Sequence, residues 1–199
     1  MARSTATGAK QGPKKSRQQR LFDEAVQLFN KQGYAGTSIR NLADAVGILP
    51  GSVYAHIDGK HTMLVQLVEH GVDQYLAATA KLSGTAEEQL RTLIGAHVNV
   101  IAANVDLALV VFHQWRHLEG ADRARIMAKR NSYEQRIRDI IDLGIKSGEF
   151  RPAIDPNLAV LVILGILNWC PEWFSPSGRD PAAAVSKGLA EIILAGVLS

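Results

Sequence analysis

Apolar residues recur along this chain at helical spacing, and no alternating strand pattern competes with them. Leu21, Phe22, Ala25, Val26, Leu28 and Phe29 form one stripe, with Gly33 as its stop and Tyr34 folding back. Thr37 is placed to cap a second helix whose inner face is Ile39, Leu42, Ala43 and Val46. That pattern stops at Gly47, and Pro50-Gly51 opens another helix with only Val53 and Ile57 on its apolar side. It ends near Asp58-Gly59 after barely two turns. Leu64, Leu67, Val68, Gly71, Val72, Tyr75 and Leu76 carry a longer helix over 60–80.

Past Ser83-Gly84, Thr85 and Glu88 have the spacing of a capping box before the stripe Leu90, Leu93, Ile94, His97, Val98, Ile101. Leu107 to Leu118 is mostly apolar. A long helix over 122–147 sets Ile126, Arg130, Tyr133, Ile137, Ile141, Gly144 and Ile145 on one side and ends at Gly148. Asp155-Pro156 and Asp180-Pro181 each read as a cap before a proline at the first helical position. They open helices over 155–170 and 181–198, the first apolar nearly all round. The pattern predicts an all-α fold of about nine helices. Three parts are expected: a disordered basic arm at 1–15, a segment of short helices at 16–60, and a longer helical part at 61–199.

The two short helices around Gly47 explain the middle part. Short helices joined by a tight glycine turn make a helix-turn-helix, whose second helix enters a DNA major groove and does not build a core. Charge sharpens this picture. The formal net charge is only +3, but residues 1–60 carry +5, and the six Lys and Arg before Leu21 have no acidic neighbour there. A polyanion partner at this end follows. Lys14, Lys15 and Arg17 are the candidate phosphate contacts of the arm.

The residues of this region also resemble a known family. Thr37-Ser38-Ile39-Arg40, Leu42-Ala43, Ala45, Gly47-Ile48, Gly51, Tyr54, His56 and Lys60 are similar to the N-terminal signature of the tetracycline-repressor (TetR) family of bacterial transcriptional regulators. Leu49 stands where that family usually has a capping Ser, and Ile57 replaces a common Phe. The resemblance implies that Thr37, Tyr54, His56 and Lys60 touch phosphates, while Arg40, Pro50, Ser52 and Tyr54 lie near base edges. Ser38 and Gly51 belong to the same DNA-binding set. It further implies a palindromic double-stranded operator, a homodimer through helices 155–170 and 181–198, and a small-molecule effector. "GEFRPAIDPNLA" and "NWCPEWFSPSG" resemble members that regulate lipid, steroid and aromatic-acid breakdown, some of which respond to acyl-coenzyme A thioesters.

Several polar side chains fall on apolar stripes: His97, Arg130, Tyr133 and Asn168. With Ile101, Phe112, Trp115, Trp169 and Trp173 they are the expected lining of a pocket for a small hydrophobic, acidic or acyl-CoA-type ligand. A buried Arg130 needs a carboxylate from a ligand or from the protein, where Glu119 or Glu134 is the expected internal partner. His113 and His117 have metal-binding spacing but no third ligand near in sequence, so no metal is expected, nor any other cofactor. The chain has no G-x-S-x-G, P-loop or G-x-G-x-x-G, so an enzyme is not expected. The single cysteine, Cys170, fits a reducing compartment, and no signal peptide or membrane span is apparent, so a cytoplasmic location is expected. The rival is a helical ligand-binding or assembly module whose basic N-terminus is not a specific DNA reader.

Overall fold

The computed structural model describes residues 16–198, and among these the architecture is wholly helical. The helices are α1 (Arg17–Gly36), α2 (Ile39–Val46), α3 (Pro50–Val53), α4 (Lys60–Ala78), α5 (Ala86–Ala103), α6 (Val105–His113), α7 (Gly120–Ser147), α8 (Pro156–Trp173) and α9 (Ala182–Val197). A 3₁₀ turn, Trp115–His117, follows α6. Among the described residues there are nine α-helices, as against about nine expected, and the one sheet-like feature is an isolated bridge between Phe150 and Leu198.

Local chemistry sets most boundaries. Ser16 and Gln19 form a capping box at the start of α1, as Thr85 and Glu88 do at α5. Gly47 and Gly148 end α2 and α7 in the left-handed conformation, at φ 73° and 78°, where an L side chain is strained. Gly33, at φ 74°, breaks the end of α1 and turns the chain back at Tyr34.

Three expectations about boundaries need correction. Ser38 caps α2, not Thr37. Thr37 lies one residue too early, and its hydroxyl donates to the Gly33 carbonyl at 2.8 Å inside the core. Asp180 does not cap α9; Pro181, in extended conformation, occupies that place and offers no side-chain bond. The apolar segment from Leu107 to Leu118 divides, as α6 ends at His113 and tightens into the 3₁₀ turn. Finally, α8 runs three residues past 170, through Pro171.

Two buried apolar clusters lie along the molecule. One gathers α1–α4 with Leu107, Val110, Val111, Leu118 and Ile126 from α6 and its neighbours. The other gathers α5, α7, α8 and α9, and takes in Tyr75 from α4. Helix α4 therefore contributes to both. Gly71 lets it cross α6 closely: a Cβ there would sit 2.2 Å from Val111 Cγ2.

Candidate functional site

The helix-turn-helix presents a polar surface on a small apolar base. Leu42, Ala43, Val53 and Ile57 are buried beneath it. Arg40, Pro50, Gly51 and Tyr54 are exposed, and Ser52 and His56 half-buried. Leu49 is 76% exposed and supplies no side-chain cap to α3. Ser38 is exposed, but its hydroxyl is held in the capping box with Asn41. Arg17 is exposed on the first turn of α1. Lys14 and Lys15 lie outside the described residues.

Two residues expected at phosphates are otherwise engaged. Thr37 is buried, with Gln32 Nε2 donating to its hydroxyl at 3.3 Å, so its side chain faces the core and not DNA. Lys60, at the start of α4, donates to the Tyr34 carbonyl at 2.8 Å and lies 4.2 Å over the Tyr34 ring. Tyr34 is a junction. Its N–H donates to Gln114 Oε1 at 3.2 Å, and its ring meets His117 at 5.2 Å between centroids. Close by, Gln27 and Asn30 of α1 donate to Asp106 of α6, at 2.6 Å to its carboxylate and 2.8 Å to its carbonyl.

A second feature lies in the body. A cavity of about 40 Å³ is lined by Val72 and Tyr75 of α4, His97 of α5, Val111 and Phe112 of α6, Arg130, Tyr133 and Glu134 of α7, and Leu164 and Asn168 of α8. Five expected residues meet here: His97, Phe112, Arg130, Tyr133 and Asn168. His97 and Phe112 stack nearly parallel, 6.1 Å apart. His97 Nδ1 lies 2.8 Å from the Tyr133 hydroxyl, and burial lowers the imidazole to a pKa of about 3, so it is neutral. Burial likewise raises the phenols of Tyr75 and Tyr133, which stay protonated.

The other expected lining residues do not reach the cavity. Ile101 packs in the core away from it. Trp115 stands behind Arg130, whose guanidinium lies 4.8 Å over the indole ring. Trp169 and Trp173 are 61% and 52% exposed, because they sit on the outer side of α8. Arg130 makes no ion pair with Glu119 or Glu134. The indole face takes that place, while burial lowers the Arg130 pKa and the charge of Glu134 opposes that shift. His113 and His117 do not share a helix face: His113 meets Glu172 and His117 meets Tyr34. Tyr75 was missed, although a polar-tipped aromatic on the stripe of α4 is the same signal that marks Tyr133.

Comparison with known proteins decides what carries this pair of features. Residues 21–67 match the family described as bacterial regulatory proteins, tetR family, and residues 83–197 match the tetracyclin repressor-like C-terminal domain. The chain belongs to the TetR family. As a TetR-family protein it is a ligand-responsive, DNA-binding transcriptional regulator, of a kind that binds operator DNA and small-molecule effectors, typically as a dimer. It is 26% identical over 190 residues to the HTH-type transcriptional repressor KstR2 of Rhodococcus jostii, covering 94% of this chain and 93% of that protein. It is 24% identical over 188 residues to the fatty acid metabolism regulator protein of Bacillus subtilis, covering 92% and 97%. The solved structure of the ketosteroid transcriptional regulator KstR2 of Mycobacterium tuberculosis superposes with a TM-score of 0.87 at 25% identity, covering 94% and 98%. Among the described residues no single helix is long and apolar enough to cross a membrane.

Proposed function

We propose that this TetR-family protein is a cytoplasmic, non-catalytic repressor that leaves its operator when a small apolar effector enters the cavity between α4 and α8. The observation that carries this is the course of α4. One end, Lys60, is bonded to Tyr34 beside the DNA-reading helices, and further along Val72 and Tyr75 line the cavity. At about 40 Å³ the cavity is far below the roughly 300–1,000 Å³ of drug-sized sites, so an effector must part α4 from α6 to enter. That movement changes the tie of Asp106 to Gln27 and Asn30, and with it the seating of α1. An effector that binds the parted form better shifts the equilibrium away from the DNA-competent one. The names of the relatives, a ketosteroid regulator and a fatty acid metabolism regulator, support a lipid-like effector.

In this reading residues 16–60 form the DNA head and residues 61–199 the effector and dimer part, with α4 as the lever between them. Arg40, Pro50, Gly51, Ser52 and Tyr54 face base edges, and Arg17, Ser38 and His56 lie toward phosphates, joined by Lys14 and Lys15 of the arm, while Lys60 holds Tyr34 at the start of α4. The dimer forms through the outer faces of α8 and α9, where Leu158, Leu161, Val162, Trp169, Trp173 and Ile192 are exposed. An apolar patch of this kind marks a protein–protein surface. The dimer places two copies of α3 about 34–36 Å apart for a palindrome.

Selection of bound sequences from a random duplex pool by the full-length protein tests the DNA half. A two-fold symmetric site is expected, and Arg40→Ala should weaken it by about 1–3 kcal/mol and relax preference at one base pair. Binding that depends on salt but not on sequence would refute it.

A further inference from the structure

His97 and Tyr75 each leave a polar atom unmet inside the cavity. Both residues are buried, and neither His97 Nε2 nor the Tyr75 hydroxyl has a hydrogen-bond partner among the described residues. Their rings lie 4.5 Å apart between centroids, and both residues line the cavity. Buried polar groups are almost always paired, so two unmet ones in one place call for a ligand.

Counting protons gives the polarity of that ligand. If Tyr133 donates its hydroxyl proton to His97 Nδ1, the pair has only Nε2–H left over. If His97 donates from Nδ1 instead, both the Nε2 lone pair and the Tyr133 proton are left over. The first arrangement leaves fewer unmet groups and is favoured. The cavity then offers two donors without an acceptor, Nε2–H and the Tyr75 O–H. One oxygen with two lone pairs satisfies both.

Charge narrows the choice further. The imidazole is neutral, and the cavity wall carries one cation and one anion, Arg130 and Glu134, so its formal charge sums to zero. A carboxylate would add net negative charge beside Glu134 in a buried site, which is costly. We propose that the cavity binds the uncharged carbonyl of an apolar ketone, ester or thioester, its oxygen accepting from His97 Nε2 and from the Tyr75 hydroxyl. The apolar part lies against Val72, Val111 and Leu164. This narrows the acidic or acyl ligand expected from sequence to a neutral carbonyl, and it rests on the effector function proposed above.

Calorimetry of the full-length protein with 2-octanone, methyl octanoate and sodium octanoate tests it, with operator release followed in the same samples. The ketone and ester should bind about tenfold or more tightly than octanoate, and Tyr75→Phe should weaken the ketone about tenfold while leaving octanoate unchanged. Nitrogen-15 NMR of the imidazole should show a protonated Nε2 and a bare Nδ1 at His97, which reports on the donor without relying on affinity. Octanoate binding as tightly as the ketone, failure of ketone and ester to bind, or a protonated Nδ1 would each overturn the proposal. Ketone binding without operator release would instead refute the effector function and leave the carbonyl site standing.

Discussion

His97 has a measurable consequence for stability. Its folded-state pKa of about 3 lies below the ordinary value of 6.5, so the unfolded chain binds the extra proton and the folded one does not. Stability therefore falls as pH drops below 6.5, by about 2 kcal/mol between pH 7 and pH 5 from this residue alone. Denaturant melts of wild type and His97→Gln at those two pH values check this, since the variant should lack that part of the slope. Leu49 is a second case. A Ser at its position would cap α3, so Leu49→Ser should raise stability by about 1 kcal/mol while changing operator preference, which melting and a base-preference measurement would show together. At this scale the sequence was only half legible. A polar residue on an apolar stripe marked His97, Arg130, Tyr133 and Asn168, which the fold brings together at one cavity. It failed for Trp169 and Trp173, because spacing within α8 says which residues share a side but not which side faces inward. Thr37 failed because its hydroxyl turns inward to the Gly33 carbonyl, which leaves the cap of α2 to the next residue, Ser38.

Among the elements, α4 and α6 matter most. Gly71→Ala puts a methyl against stiff Val111 and should cost about 1–3 kcal/mol, measurable as a lowered melting temperature. If α4 and α6 must part for an effector, the same change should also make the variant release operator DNA at lower effector concentration. Equal effector sensitivity in the variant would mean that the crossing carries no coupling. Helix starts and stops were the most legible part of the fold, because Gly148, Thr85, Asp155 and Pro156 act through neighbours within four residues. The break after His113 was not legible. There the 3₁₀ turn is accompanied by Tyr34 and Glu172, which are distant in sequence.

The whole molecule is expected to work as a pair. Ile192 is 67% exposed whereas its neighbour Ile193 is 6% exposed and packs in the core. In the proposed dimer the exposed Ile192, not the buried Ile193, carries the contact. Ile192→Asp should give folded monomers in sedimentation that bind operator poorly, whereas Ile193→Asp should unfold the chain by burying an unpartnered charge. The central claim, that occupation of a cavity in the body controls a DNA-reading surface in the head, is tested most directly by one titration. The full-length protein is titrated into a fluorescent palindromic operator, with anisotropy read in the absence and presence of saturating 2-octanone. The account predicts two chains per duplex and an operator affinity lowered at least about tenfold by the ketone, a coupling of about 1.4 kcal/mol or more. An operator affinity unchanged while calorimetry shows the cavity filled would contradict it.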